Sequence, residues 1–396
     1  MSAAPPEALR GLRPLGLRVT VDAPAESNHA SFVVAGLRQL ADHAIIARLR
    51  IRVLGPTHRG EVRVDDDGSL APSSSAVARK TLFIDASDAS GRHRLAIDLR
   101  DAADLFAADA LDLGGVDAIW KRSYDQRVVD RLHRRSPATT VLPAGLSFRV
   151  GLDRASDGRA VIAALGATGV RSAVRFDRTT PARLRAVVAG VRTARRSLPG
   201  QWDLDALRAT PPVARATRGT SATVLFQTRT FGDRDDQDTV DVVDERASII
   251  RALRAELGPR FRGGFVPDPL ALRRYPDCIS DVRSDRASYG AAMAGAAIVV
   301  SSGGLAGSIP WKLPEAMALG CCIVAETTSL TVPGPFSETF APYGSVDDCV
   351  EQVVRLLGDE PTRAQLADRA RRYYLEWVDP PIAAHRMLTE LLHLTR

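Results

Sequence analysis

The stretch from Ile298 to Glu326 reads IVVSSGGLAGSIPWKLPEAMALGCCIVAE and brings together the residue types that a phosphate site needs. Ser301, Ser302, Gly303, Gly304, Gly307 and Ser308 carry side chains too small to block an approaching anion. Backbone amides in such a loop, with the positive end of the next helix dipole, favour negative charge. Lys312 falls near the first turn of that helix and adds a full charge. Glu315 follows on the same helix, where a carboxylate can accept hydrogen bonds from both hydroxyls of a ribose. Upstream, Gln227-Thr228-Arg229-Thr230-Phe231 places Arg229 just past an apolar run, with Arg234 five residues further on. Each element alone has a plain structural counterpart: a tight turn, a surface lysine, a solvated glutamate. Their order, strand to small-residue loop to helix to strand, is what points to a ligand.

Short apolar runs alternating with amphipathic stretches are the mark of parallel sheets covered by helices. The first series of expected strands is Leu17–Val21, Ile51–Leu54, Thr81–Ile84, Val116–Ile119 and Thr139–Leu142, with a helix over Ser31–Ala41. A second series opens at Thr223–Phe226 and continues through Phe261–Val266, Ala297–Val300 and Cys322–Ala325. The pattern predicts two Rossmann-like doubly wound domains: 1–200, a linker over 201–220 rich in Pro and Gly, 221–375, and a final segment 376–396 packing back on the first domain. Thr180 and Pro181 open a helix whose far face carries arginines. Ile249, Ile250, Leu253 and Leu257 share a helix face that Gly258 ends. Ser345 with Asp348 has the form of a capping box.

If the first domain is doubly wound, groups just after its strands face the ligand side. These are Asn28 and His29; Thr57 and His58; Asp85, Ser87 and Asp88; and Lys121, Arg122 and Tyr124. His29, at a strand-to-helix junction, is the candidate acid or base. Asp85 is the candidate for orienting an acceptor hydroxyl, while Asp88 reads equally well as an N-cap. Lys121 and Arg122 read first as a solvated basic turn and second as phosphate ligands.

Bulk composition narrows the field. The chain of 396 residues is 45% hydrophobic and 25% charged, as globular proteins are. Its length suits two cores. The net charge of +6 is spread along the chain, and aromatics are only 5%, against a nucleic-acid binder. No run is apolar enough for a membrane span and no signal peptide opens the chain, so the expectation is a cytoplasmic protein, with peripheral membrane contact left open. Cys278, Cys321, Cys322 and Cys349 show neither metal-ligand spacing nor a disulfide framework. Only Lys80, Lys121 and Lys312 are lysines among 53 basic residues, so a lysine that persists here suggests a need for a compact ammonium.

The run Leu313-Pro314-Glu315-Ala316-Met317-Ala318-Leu319-Gly320, followed by Ile323-Val324-Ala325, resembles the signature of retaining GT-B glycosyltransferases, particularly the family 4 type. The resemblance implies an α/β fold of two Rossmann-like domains facing a cleft, with Glu315 on the nucleotide ribose and Arg229 on the donor diphosphate. Arg234 stands where the family places a lysine. The family's first acidic residue would fall at Gly307, and Cys322 stands where a proline is common. By this similarity the chain moves a sugar from a nucleoside-diphosphate sugar to a glycan, lipid or natural-product hydroxyl, without metal or other cofactor, and with retention. The donor would be held by Arg229, Lys312 and Glu315, with Ser302, Gly303, Gly304, Ser308 and Arg234 around it. Two other readings stand beside it: a nucleotide-sugar 2-epimerase of the same fold, and a non-enzymatic two-lobed sugar-binding protein.

Overall fold

The computed structural model describes residues 9–23, 27–53, 60–73, 80–111, 115–151, 202–209, 222–232 and 236–394. Met1–Asp205, Leu330–Pro333 and Glu376–Arg396 make one unit; Ala206–Ser329 and Gly334–Leu375 make the other. The helix expected from Thr180, most of 201–220, Thr57, His58 and Arg234 lie outside the described residues. His29 lies within a helix, and its side chain is likewise outside them.

The strands of the first unit are β1 (Arg18–Ala23), β2 (Arg48–Val53), β3 (Glu61–Val64), β4 (Leu70–Pro72), β5 (Thr81–Ser87), β6 (Arg92–Asp98), β7 (Leu105–Ala107), β8 (Ala118–Lys121), β9 (Val141–Pro143), β10 (Val150–Gly151) and β11 (Trp202–Asp203). The main sheet runs β2-β1-β5-β6-β8-β9, and β4-β3-β7 form a small separate one. β1 and β2 are parallel, as are β6, β8 and β9, but β5 runs against both of its neighbours. It does so because Asp88–Gly91 make a tight turn into β6. The Asp88 carboxylate accepts from the amides of Ser90 at 2.7 Å and Gly91 at 3.2 Å, a local Asx-type turn. Asp88 is therefore a turn residue rather than a helix cap.

The Ser27–Asp42 helix covers one face of this sheet, burying Phe32, Val33 and Leu37. It meets the last helix, Pro380–Leu394, at Gly36, where a Cβ would stand 2.2 Å from the Pro380 carbonyl oxygen. On the other face, the small sheet and the Gln126–Arg135 helix bury Phe83, Ala96, Ile119 and Val141 among Phe106, Val128 and Leu132.

The second unit holds β12 (Val224–Thr228), β13 (Phe261–Phe265), β14 (Ile298–Ser301), β15 (Ile323–Glu326) and β16 (Ala341–Tyr343) in the order β13-β12-β14-β15-β16. Every pairing is parallel. β12 and β14 are buried at every residue, as strands covered on both faces must be. Each fully buried Val, Ile or Phe contributes about 1.5–3 kcal/mol relative to exposure. The Gln237–Leu257 helix packs Val243, Ala247, Ile250 and Leu253 onto this core. Asp236 caps its start, and Gly258, at φ 54°, follows its end. Among the described residues no helix is long and apolar enough to cross a membrane. The chain is thus α/β, with Rossmann-like parallel elements in both units and one reversed strand in the first.

Gly36→Ala is expected to lower the unfolding free energy by about 1–3 kcal/mol, the usual cost of overpacking. Gly295→Ala, whose Cβ would meet nothing within 4 Å, should leave the urea midpoint unchanged or higher. Equal midpoints for both variants would show that the helix contact at Gly36 is not tight.

Candidate functional site

In an open parallel sheet, a crevice forms at the carboxyl ends of two neighbouring strands whose connections leave in opposite directions. Here those strands are β12, which connects to β13 on one side, and β14 on the other. Their ladder covers only Val224↔Ile298 and Leu225↔Val299, so the carboxyl-terminal residues of β12 run on without partners in β14. The chain leaving β12 carries Arg229, and the chain leaving β14 is the serine-glycine loop.

Arg246 joins these two exits. Its Nε donates to Ser302 Oγ at 3.0 Å, Nη1 to the Arg229 carbonyl at 3.0 Å, and Nη2 to the Gly303 carbonyl at 2.6 Å. The guanidinium also lies 4.7 Å from the Phe231 ring centre. Phe231 holds a left-handed φ of 65°, a conformation that a bulky residue adopts only under constraint. Burial pulls the Arg246 pKa down to about 10, against the opposing pull of Tyr343, Glu326 and Glu245. A second tether is Thr230 Oγ1, which donates at 2.5 Å to Asp268, the cap of the Pro269–Arg274 helix. Sequence reading passed over Arg246, although its place between Val243, Ala247 and Ile250 on the buried helix face was a visible signal.

The loop from Ser301 to Ser308 differs from the expected cradle of open amides. Gly303 N donates to Glu326 at 2.6 Å, Gly304 N to the Ser308 carbonyl at 2.7 Å, Ala306 N to Asp238 at 2.8 Å and Ser308 N to the Leu305 carbonyl at 3.1 Å. Ser302 and Ser308 are buried, and Ser302 Oγ already accepts from Arg246. These small residues are needed for packing: a Cβ on Gly304 would approach Ser308 Oγ to 2.5 Å, and one on Gly303 would approach Glu326 to 3.0 Å. Side-chain charge is therefore the main attraction left for an anion.

That charge is present. Arg229 is exposed at the end of β12 and has no salt-bridge partner among the described residues. Lys312 opens the Lys312–Leu319 helix, donates to the Gln227 carbonyl, and lies 5.1 Å from the Phe226 ring centre. It too has no carboxylate within bonding distance among the described residues. Burial, then the positive charge of Arg246, pull its pKa down to about 7, with Glu315 opposing and Arg229 reinforcing the fall. Gln227 donates to the Val282 carbonyl at 2.8 Å, while its Oε1 is buried without a partner.

Glu315 is only 4% exposed and receives Arg286 Nη1 on Oε1 at 2.9 Å. Burial, then the Glu315 charge, push the Tyr289 hydroxyl far above its usual range. The Lys312–Leu319 helix ends at Gly320, whose φ of 66° supplies the left-handed stop. Glu326, at the carboxyl end of β15, was also not singled out from sequence. Burial, then its negative charge, raise the pKa of Glu245.

Besides Asp88, the first unit departs from expectation at two places. Asp85 pairs with Thr20, the third residue of β1, in the reversed strand β5, so it lies alongside the middle of β1 and not beyond its carboxyl end. It is held by Arg92 at 2.8 Å, Arg52 at 3.5 Å and Arg94 at 3.7 Å, and its Oδ1 is buried without a hydrogen-bond partner among the described residues. Lys121 and Arg122 are buried, not a solvated turn. Lys121 lies 3.5 Å from Asp98 and donates to the Leu105 carbonyl; Arg100 binds both Asp98 at 2.9 Å and Glu61 at 2.8 Å. Burial brings the Lys121 pKa down to about 8 despite the Asp98 charge.

No protein-family model matches the sequence. No curated protein matches it. Among solved structures, the C-terminal domain of a glycosyl transferase group 1 family protein (LpcC) from Francisella tularensis matches at 15% identity and TM-score 0.28, over 40% of this chain and 87% of that one. Sucrose-phosphate synthase from Thermosynechococcus elongatus matches at 14% identity and TM-score 0.34, over 72% of this chain and 91% of that one. HepE from Anabaena, in complex with UDP, matches at 12% identity and TM-score 0.32, over 70% of this chain and 92% of that one.

Arg246→Ala is expected to lower the unfolding free energy by about 2–4 kcal/mol, because it leaves the acceptors of two loops unpaired. An unchanged urea midpoint would mean that the loops hold themselves.

Proposed function

We propose that the chain is a glycosyltransferase that takes a sugar from a nucleoside-diphosphate sugar. The observation that carries this reading is a pair of cations with no acidic partner among the described residues, Arg229 and Lys312, at the strand exits where an open parallel sheet binds ligands. A diphosphate answers their charge. Glu315, held by Arg286 on one oxygen, offers the other to a ribose, as its likeness to the family 4 glutamate implies. Ser302, Gly303, Gly304 and Ser308 supply the tight floor of the crevice, and their packing keeps Arg229 in place through Arg246.

In the reaction, the bond between the anomeric carbon and the diphosphate oxygen breaks, a bond to the acceptor oxygen forms, and the proton of the acceptor hydroxyl passes to the leaving diphosphate. Negative charge grows on the leaving diphosphate as the anomeric carbon becomes oxocarbenium-like. Arg229 and Lys312 strengthen their hold as that charge develops, which lowers the barrier rather than merely binding the donor. Metal-independent transfer with retention is the family's expectation and part of the proposal. Glu326, one strand over, is a carboxylate on the same edge of the sheet, where Gly307 leaves none in the loop.

A thermal-shift panel of UDP, GDP, dTDP and ADP tests the reading, since a nucleotide at about 100 times its Kd adds about 2.7 kcal/mol of stability. The expected result is stabilisation by at least one, weakened in Glu315→Ala. Arg229→Ala should lower kcat more than it raises KM in a transfer assay with the matching nucleotide sugar. Stabilisation by none of the four, or wild-type kinetics in both variants, would overturn the site.

The depressed Lys312 pKa adds a pH test. Its ammonium is charged below about 7 and neutral above, so affinity for the nucleoside diphosphate should fall as pH rises from about 6 to about 9, with proton uptake on binding at the upper end. Calorimetry in buffers of different ionisation enthalpy measures that uptake, and Lys312→Met should abolish it.

A further inference from the structure

The alternation Arg48-Leu49-Arg50-Ile51-Arg52 in β2 sends three arginines to one face of the first unit's sheet. Strand register arranges that face in rows. Arg48, Arg18, Ser87 and Arg92 lie side by side in one row, and Arg50, Thr20, Asp85 and Arg94 in the next. Arg52, Asp22, Phe83 and Ala96 make the third. Only part of this charge is compensated. Arg52 binds Asp22 through Nη2 at 2.7 Å, and Asp85 gathers Arg52, Arg92 and Arg94. Arg18, Arg48 and Arg50 are exposed and have no acidic partner among the described residues.

Arg18 and Arg48 are direct partners across adjacent strands, where like charges destabilise a sheet. The sheet carries this repulsion with no carboxylate in the row to relieve it. The same face is concave: Arg18, Arg48, Arg50, Arg52 and Arg92, with Thr20, Asp85 and Ser87, line a cavity of about 380 Å³. That volume lies in the range of small-molecule sites, about 300–1,000 Å³.

We propose that this face binds a soluble small molecule bearing two or more phosphate groups. Guanidinium forks match phosphate oxygens in pairs, which a flat row of ammonium groups would not. Three uncompensated charges in two rows call for several anionic centres rather than one carboxylate. Asp85 steadies the flanking arginines while remaining neutralised by them. A half-open cavity with the hydroxyls of Thr20 and Ser87 among its lining suits a discrete ligand better than the plane of a membrane. The site lies on a sheet face of the first unit and shares no residue with the Arg229–Lys312 crevice, so it does not depend on the function proposed above.

The test titrates inorganic tripolyphosphate into the full chain by calorimetry, in an Arg229→Ala/Lys312→Met background that removes the crevice cations. That background should bind one tripolyphosphate. Adding Arg18→Ser and Arg48→Ser should weaken binding by about tenfold or more for each guanidinium removed. Arg18→Gln/Arg48→Gln repeats the test with less change in side-chain volume, and a melting temperature held or raised shows that the fold survives. No binding in the background, or binding unchanged by the arginine substitutions, overturns the proposal. So does arginine-dependent sedimentation with phosphatidylglycerol vesicles in a protein that binds no tripolyphosphate.

Discussion

A guanidinium moved out of water costs several kcal/mol unless its donors find acceptors, and Arg246 meets that demand by reaching across the exits of β12 and β14. Because the fork is planar and rigid, the acceptors it needs fix the spacing of two loops that are far apart in sequence: Ser302 Oγ and the Gly303 carbonyl on one, the Arg229 carbonyl on the other. Phe231 accepts a left-handed backbone to lie against the same group. Such a conformation persists only where surrounding contacts over-determine it, at a cost of about 1–3 kcal/mol. The position of Arg229 is thus a consequence of how a different arginine is buried.

Charges within the protein are treated in contrasting ways. At the carboxyl edge of the first unit's sheet, Asp98, Arg100, Glu61 and Lys121 satisfy one another in the interior. That network is structural: its removal in part would leave a buried charge alone, which is more costly than never having had it. Arg229 and Lys312 at the exits of β12 and β14, and Arg18, Arg48 and Arg50 on the face beside β2, have no carboxylate partner among the described residues. Folding gains nothing from leaving positive charge uncompensated. These are the places where an anion changes the balance most.

The serine-glycine loop is built for a reason other than the one its small residues suggest. Small residues suggested open amides for phosphate. The amides are instead spent on Glu326, Asp238 and the loop's own carbonyls, and the lack of side chains at Gly303 and Gly304 serves close packing. The loop still lies at the carboxyl edge of the sheet, with its amides satisfied internally and Arg229 and Lys312 beside it.

Much of the second unit was legible in the sequence because its signals are local. Buried strands of β-branched residues, the run of helix-forming residues after Lys312, and the stops at Gly258 and Gly320 each depend on neighbours within a few positions, and the strands expected from Thr223 to Ala325 are present in parallel order. The positions of Arg229, Lys312 and Glu315 followed from that order. Other features were set by pairing between residues tens of positions apart, which no periodicity records. The reversal of β5 sets Asp85 beside the middle of β1 and not past its carboxyl end, although its residues read as a strand either way. The burial of Lys121 and the Arg286 partner of Glu315 likewise depend on which surfaces meet. Residue pattern alone determined which segments are strands and helices and where small and charged residues fall. Tertiary structure decided direction, partner and degree of burial, because those depend on free energies of contact that exist only once distant segments are brought together.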